Sequence, residues 1–305
     1  MAQEHIRAFI GVEGFEIVGI YSRTQEKAKL LADKYSIPDV YLSIEEIYSK
    51  AQVDLVVITV SEISMLDVCR QCFHYPWLIL MEKPIGYTLN EALELLKLQR
   101  ITGAKVFVAL NRRHYGSTQN LLAKLENDNS PRYIEVHDQE SSRNAIIYGR
   151  PQVVADNWMY VNSIHLIDLI RVLARGEAKS VENVIDWNKS GRSFCAAKIK
   201  FYSDDIVMYQ AVWERPAPWS ISVSTENAFY EMRPLETFSF METGQRKLIS
   251  SPQDDGDIDF KPGFLRQAKE TLKVLRGEKS CLPSLLDAFQ SMSLVSQIYG
   301  IENDN

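Results

Sequence analysis

Apolar positions in the first part of the chain switch between two spacings. Runs at Phe15–Tyr21, Val53–Thr59, Trp77–Met81 and Lys105–Leu110 have the length and apolar density of strands. Between them, Thr24–Tyr35, Ser43–Lys50, Ser61–Phe73 and Thr88–Thr102 place apolar residues at helical spacing. Ser43-Ile-Glu-Glu46 reads as a capping box, in which a hydroxyl and a carboxylate satisfy the free N–H groups of a helix start. Alternating strands and helices joined by short connections predict a doubly wound parallel sheet with helices on both faces.

From about Arg132 the pattern changes. Strands are expected at Tyr133–Gln139, Val181–Asp186, Ala196–Tyr202, Ile206–Trp213, Trp219–Thr225, Phe229–Arg233 and Thr237–Glu242. Asn188-Lys-Ser-Gly191 and Ser203-Asp-Asp205 look like hairpin turns. One long amphipathic segment, Asn157–Leu173, interrupts the strands, and helices at Pro262–Arg276 and Ser284–Gly300 close the chain. This predicts an α+β unit with a large, mostly antiparallel open sheet, whose free face would suit a partner subunit. The reading divides the chain into residues 1–115 and 116–305, with the closing helices free to pack back on the first part.

Composition narrows the class. At 305 residues and 46% hydrophobic, the chain can bury two sizeable cores. A formal charge of −6 with no basic stripe argues against nucleic acid. Apolar stretches such as Leu55–Val60 and Trp77–Met81 fall far short of the roughly 20 residues that span a bilayer. No secretory leader is visible, so a cytoplasmic address and no membrane partner are expected. Cys69-Arg-Gln-Cys72 has the spacing of half a zinc site, but no second pair matches it. Buried helix packing is the expectation, with no metal.

Two segments carry chemistry. Leu78-Ile-Leu-Met-Glu82-Lys83-Pro84 puts a lysine at the carboxyl end of a parallel strand, the edge where ligands sit in open α/β sheets. Pro84 fixes the backbone there. A lysine partly withdrawn from water can hold or donate a proton as an alcohol becomes a ketone. In Tyr160-Val-Asn-Ser-Ile-His165-Leu-Ile-Asp168, His165 and Asp168 share a helix face. His165 could move a proton or orient a hydroxyl, and Asp168 could fix its tautomer or cap a hydrogen-bond network. Trp158, Tyr160, Trp213 and Trp219 could stack on a sugar ring, with Tyr115 and Asn157 as weaker candidates.

In order and spacing, Tyr21-Ser-Arg-Thr, Glu82-Lys83-Pro84, Asn111-Arg112-Arg113, His165-Leu-Ile-Asp168 and Lys261-Pro-Gly-Phe-Leu-Arg-Gln-Ala268 resemble the Gfo/Idh/MocA oxidoreductases. The resemblance implies a Rossmann domain, a second domain with a large sheet, NAD or NADP as cofactor, and hydride transfer on a sugar, polyol or nucleotide-sugar. By position, Lys83 would be the catalytic lysine and His165 the histidine facing substrate. Arg112 and Arg113 would line the mouth. Read from the residues themselves and not from the resemblance, Trp158 and Asn162 are further candidate substrate contacts, Asn162 able to give a hydrogen bond but not to exchange a proton. Ser22, Arg23, Thr24, Thr59, Val60, Glu82, Lys83, Pro84 and Arg112 would meet the cofactor. Hydroxyls and a guanidinium at Ser22-Arg23-Thr24 suit a 2′-phosphate, a slight preference for NADP.

The sequence departs from the family in three places. It shows no initial strand with a Gly-x-Gly turn. Met1-Ala-Gln-Glu-His5 already looks helical, as though the start lay roughly 15 residues late, given strands of about five or six residues plus a turn. Such a chain is expected to bind dinucleotide poorly, since that turn cradles the pyrophosphate. Val161 stands where many members carry an Asp, and Val60-Ser-Glu-Ile-Ser-Met65 replaces a loop with Pro and His. The alternative is therefore a non-catalytic sensing regulator or pseudoenzyme on the same fold. A homo-oligomer through the open sheet is expected in either case.

Overall fold

The computed structural model describes residues 1–188 and 194–301. The first part runs α1 (Ala2–Ile10), β1 (Gly19–Tyr21), α2 (Gln25–Tyr35), β2 (Asp39–Tyr41), α3 (Ile44–Lys50) and β3 (Leu55–Ile58). A 3-10 turn, Glu62–Ser64, leads to α4 (Met65–Cys72), followed by β4 (Leu78–Glu82), α5 (Leu89–Thr102) and β5 (Lys105–Ala109). Side chains set the helix starts: Ser43 Oγ accepts from the Glu46 amide at 3.1 Å, and Thr88 Oγ1 from that of Glu91 at 3.3 Å. The Glu46 carboxylate accepts from Leu42 rather than from Ser43, so the expected capping box is half formed. β4 is buried along its whole length, as a strand covered on both faces must be.

All pairing in this part is parallel, and it falls into two groups. β1 pairs with β2, and β3 with β4 and β4 with β5. Among the described residues β1 and β3 share no ladder. The strand expected over Phe15–Tyr21 is reduced to Gly19–Tyr21. Phe15 instead turns edge-on to Phe9 of α1, their ring centroids 4.7 Å apart. Cys69 and Cys72 are buried free thiols in the α4 packing face. Burial pushes Cys69 well up and Cys72 to about 12.

The second part begins with α6 (Gly116–Leu125), which the sequence pattern does not signal, and β6 (Tyr133–Glu140). It continues through α7 (Ser142–Ile147), α8 (Gln152–Asp156), a π-helical turn at Met159–Ser163 and α9 (Ile164–Leu173). Then come β7 (Ala178–Ile185), β8 (Phe194–Phe201), β9 (Ile206–Trp213), β10 (Ser220–Ser224), β11 (Ala228–Met232), β12 (Phe238–Glu242) and β13 (Ile249–Ser251). Helices α10 (Asp255–Asp259), α11 (Phe264–Leu275) and α12 (Leu285–Tyr299) complete it. The hairpin turn read at Asn188–Gly191 lies largely outside the described residues.

The sheet order is β13-β12-β11-β10-β6-β9-β8-β7. β6 is not the first member of a hairpin series. It sits in the middle, antiparallel to β10 and parallel to β9. Its inward positions are Ile134, Val136, Asp138 and Glu140, so one buried face turns from apolar to acidic along the strand. The segment read as one amphipathic helix is instead the π turn plus α9. It is buried nearly all round, with Asn162 and Arg171 among its few partly exposed residues.

Helix α11 returns to the first part, where the Phe264 ring lies 4.8 Å from that of His5. Helix α12 packs on α5 and α9, and the Val108 amide donates to the Pro283 carbonyl. No helix among the described residues is long and apolar enough to cross a membrane.

Candidate active site

Lys83 leaves β4 at its carboxyl end, and its Nζ donates to the Val161 carbonyl at 2.8 Å. That carbonyl lies in the π turn one helical turn before His165, so the two sequence motifs meet in the fold. Burial lowers the Lys83 pKa to about 8. Glu82, Glu62 and Glu140 resist the shift, and Arg112 adds to it. An amine of this strength can hold or release a proton near neutrality.

Glu82 points away from solvent and takes a hydrogen bond from His5 Nε2 at 2.8 Å, which ties α1 to the tip of β4. Burial pushes the Glu82 carboxyl up, but the His5 hydrogen bond and the charges of His5, Lys83 and Lys261 outweigh it and leave it below its ordinary value.

His165 is 7% exposed, and its Nδ1 has no partner among the described residues. Burial first, then the positive charges of Arg112, Lys83 and Lys261, hold its pKa well below the ordinary value. The ring is therefore a neutral imidazole at physiological pH, an acceptor or donor without a change of charge.

Asp168 does not fix the His165 tautomer. It accepts from Arg113 Nε at 2.7 Å and Nη2 at 2.6 Å, and from Ser291 Oγ at 2.6 Å. Arg113 is thus directed into this bidentate pair and not toward the mouth, because a buried carboxylate binds a guanidinium fork strongly. Arg112 goes the other way. Its guanidinium carbon stands 4.1 Å from the centre of the Trp219 ring, and its buried Nη1 has no partner among the described residues. Trp219 is held in turn through its Nε1–H, which donates to the Gln139 carbonyl at 2.8 Å.

The other candidates separate. Trp158 packs against the main core and Asn157 bonds the Val153 carbonyl. Tyr160 bonds Ser296, and Trp213 is fully buried against Trp187 and Tyr299. Thr59 and Val60 follow β3, beside the Glu62–Ser64 turn. Arg23 Nη2 reaches Ser64 Oγ at 2.7 Å, and Ser61 Oγ donates to Ser64 Oγ at 3.1 Å, so the ends of β1 and β3 share one polar cluster. Arg150, from the α7–α8 connection, pairs with Glu62 at 2.9 Å and so ties the second part of the chain to the turn after β3.

Sequence reading missed the acidic pair on β6. Asp138 and Glu140 are each 1% exposed. Tyr209 donates to Asp138 Oδ2 at 2.6 Å and contacts the Tyr299 hydroxyl, which reaches Ser163 in the π turn. Asn162 Nδ2 donates to both Glu140 oxygens, at 3.1 and 2.9 Å. The signal was available, since the strand's alternation places both carboxylates on the same face as Ile134 and Val136.

Residues 1–110 match the model of an oxidoreductase family with an NAD-binding Rossmann fold, Gfo/Idh/MocA. No curated protein matches the chain in sequence. Among solved structures, the chain is similar to aldose-aldose oxidoreductase from Caulobacter crescentus complexed with glycerol. The TM-score is 0.80 at 15% identity, covering 97% of this chain and 92% of that one. An oxidoreductase from Agrobacterium radiobacter in complex with NAD+, L-tartaric acid and magnesium gives 0.78 at 15%, over 98% and 92%. UDP-N-acetylglucosamine 3-dehydrogenase from Acidithiobacillus ferrooxidans gives 0.75 at 15%, over 98% and 93%. At these identities the likeness is one of fold, and it extends over both parts of the chain.

Proposed function

We propose, for a chain whose residues 1–110 match the model of an NAD-binding Rossmann oxidoreductase family, an NAD(P)-dependent enzyme acting on a hydroxyl-bearing carbon of a sugar, polyol or nucleotide-sugar. The observation that carries this is the meeting of Lys83, weakened to about 8, with the turn that leads into His165. The substrates in the names of the sugar-acting structural neighbours support the substrate class.

The residues fit a nicotinamide dinucleotide at its two ends. Arg23, Ser22, Thr24 and the Ser61–Ser64 hydroxyls would hold the adenosine ribose, and the guanidinium would suit a 2′-phosphate, favouring NADP. Thr59, Val60 and Glu82–Pro84 at the strand ends would border the nicotinamide, with the unpartnered Arg112 Nη1 and His165 Nδ1 facing polar groups there. When bound, the nicotinamide supplies the hydride acceptor or donor. Lys83 takes the hydroxyl proton in oxidation and returns it in reduction. His165, neutral throughout, accepts from or donates to the substrate oxygen and holds it in line. Arg112, fixed on Trp219, offers a cation to polar or anionic substrate groups.

The outward face of the large sheet mixes Glu135, His137, Lys198, Met208, Gln210 and Val212, a surface suited to a second copy of the chain. Light scattering would report the dimer, and a monomer at working concentration would contradict it.

The test of function is nicotinamide absorbance with a panel of polyols, aldoses and nucleotide-sugars. Turnover that disappears in Lys83→Ala supports the proposal. One observation favours the non-catalytic reading: the Lys83 ammonium already has a protein partner. Binding of sugar and dinucleotide with no turnover under any condition would decide for that reading.

A further inference from the structure

We propose that Asn162 presents its side-chain carbonyl oxygen to the substrate as a fixed hydrogen-bond acceptor, with Glu140 as the positioning residue that holds the amide in that sense. The site then selects a substrate carrying a second hydroxyl beside the one that Lys83 handles. This rests on the sugar or polyol reading above and narrows it to vicinal diols.

The orientation follows from donor and acceptor accounting. An Asn side chain has a donor end and an acceptor end, and its neighbours decide which way it turns. The Asn162 nitrogen faces both Glu140 oxygens, so its Oδ1 is turned away from them. Asn162 is partly exposed, and it is the nitrogen end of its amide that is engaged by Glu140. In the reverse orientation Oδ1 would need a proton from Glu140.

A neighbouring group needs that proton more. Asp138 Oδ2 is satisfied by Tyr209, while Asp138 Oδ1 is buried with no donor at hydrogen-bond distance among the described residues; a protonated Glu140 and the Ser163 hydroxyl are the donors that act on this carboxyl. Burial and then the charge of Asp138 hold the Glu140 carboxyl well above its ordinary value, which agrees with a shared proton. With its hydroxyl given to Asp138, Glu140 retains only acceptor capacity toward Asn162. The amide must therefore donate inward and accept outward.

The placement relative to the chemistry is covalent. Val161, whose carbonyl binds Lys83, is joined by a single peptide bond to Asn162. Glu140, which holds the Asn162 amide, is also among the charges that act on Lys83, so amide and ammonium belong to one neighbourhood, as recognition of two neighbouring hydroxyls requires. A carbonyl, carboxylate or phosphate at the second position would oppose one acceptor with another and be disfavoured.

The experiment is calorimetric binding of D-glucose and each monodeoxy-D-glucose to the full chain and to folded Asn162→Leu, Glu140→Gln and Glu140→Leu variants. At least one monodeoxy analogue should bind about tenfold more weakly than D-glucose, the loss of one good hydrogen bond. Asn162→Leu should erase that difference. Glu140→Gln should keep it, because its amide can donate to Asp138 while its oxygen accepts from Asn162; Glu140→Leu, with no acceptor, should lose it. The proposal is overturned if D-glucose does not bind, if all analogues bind within about twofold of it, or if Asn162→Leu relieves the loss for none of the analogues. Discrimination in binding without nicotinamide turnover would refute the oxidoreductase and leave the acceptor standing. Turnover without discrimination would do the reverse.

Discussion

Lys83 Nζ and the carbonyl oxygen of Val161 lie 2.8 Å apart, and this contact joins the end of a buried parallel strand to a π turn in the second domain. π turns insert a residue into a helix and recur at functional sites. Here the turn brings the start of α9 against the strand tip, with Asn162 and His165 following. Burial weakens the lysine as an acid-base group in the useful direction, but it also makes the folded chain hold a charge poorly.

That cost has a measurable sign. The folded pKa of about 8 lies below the ordinary 10.5, so between these values the unfolded chain binds more protons. Stability contributed at Lys83 is therefore poorest below about pH 8 and recovers as pH rises toward 10.5. Lys83→Met should raise stability near pH 7 by about 2 kcal/mol while removing activity. Urea unfolding of both proteins near pH 7 and again near pH 10 checks this, with the gain shrinking at the higher pH.

Asp168 should behave as a structural residue. Its replacement by Ala leaves the Arg113 charge buried without its fork partner, an expected loss of about 3–5 kcal/mol. Where the variant remains folded, the pH profile of turnover should keep its wild-type position. A shifted profile in the folded variant would show that Asp168 acts on His165 after all.

Two buried histidines set an acid limit. His114 is lowered from 6.5 to about 4 by burial, with Arg113 and Arg266 adding to the effect, and His165 is held well below its ordinary value by burial and nearby cations. For a depressed pKa, stability is complete above the unfolded value and is lost as pH falls below about 6.5, at about 1.4 kcal/mol per pH unit for each histidine. Urea midpoints measured from about pH 7 to about pH 4.5 should fall accordingly, and His114→Gln should flatten the slope by one proton's share.

Arg23 should govern the choice of dinucleotide. Its guanidinium stands in a hydroxyl cluster at the strand ends, so Arg23→Ala should weaken NADP about tenfold or more and NAD little. Equal loss for both cofactors would mean that the side chain meets the adenine and not a phosphate.

Much of this was legible in the sequence because the information is periodic. The strands at Leu78–Glu82 and Ile206–Trp213 and the helix at Leu89–Thr102 each announce themselves by apolar spacing and caps. Asp39–Tyr41 and Ile249–Ser251 are too short for a period to show, and Gly116-Ser-Thr-Gln-Asn opens a helix with poor helix formers. The parallel pairing of β6 with β9 was hidden because it joins strands far apart in the chain, whereas turn signals report only neighbours. At the site, Lys83 and His165 stood out by residue type and place. Arg113 turning to Asp168, and Glu140 closing on Asn162, are tertiary choices that no local pattern records.

The pH dependence of kcat/KM for nicotinamide reduction, in wild type and in Lys83→Arg, bears most directly on the lysine's role. In the oxidative direction the wild-type rate should climb through an apparent pKa near 8, as the amine loses its proton, and the Arg variant should show no such limb. A variant that turns over as fast as wild type, with the same limb, would mean that the proton is handled by some other group.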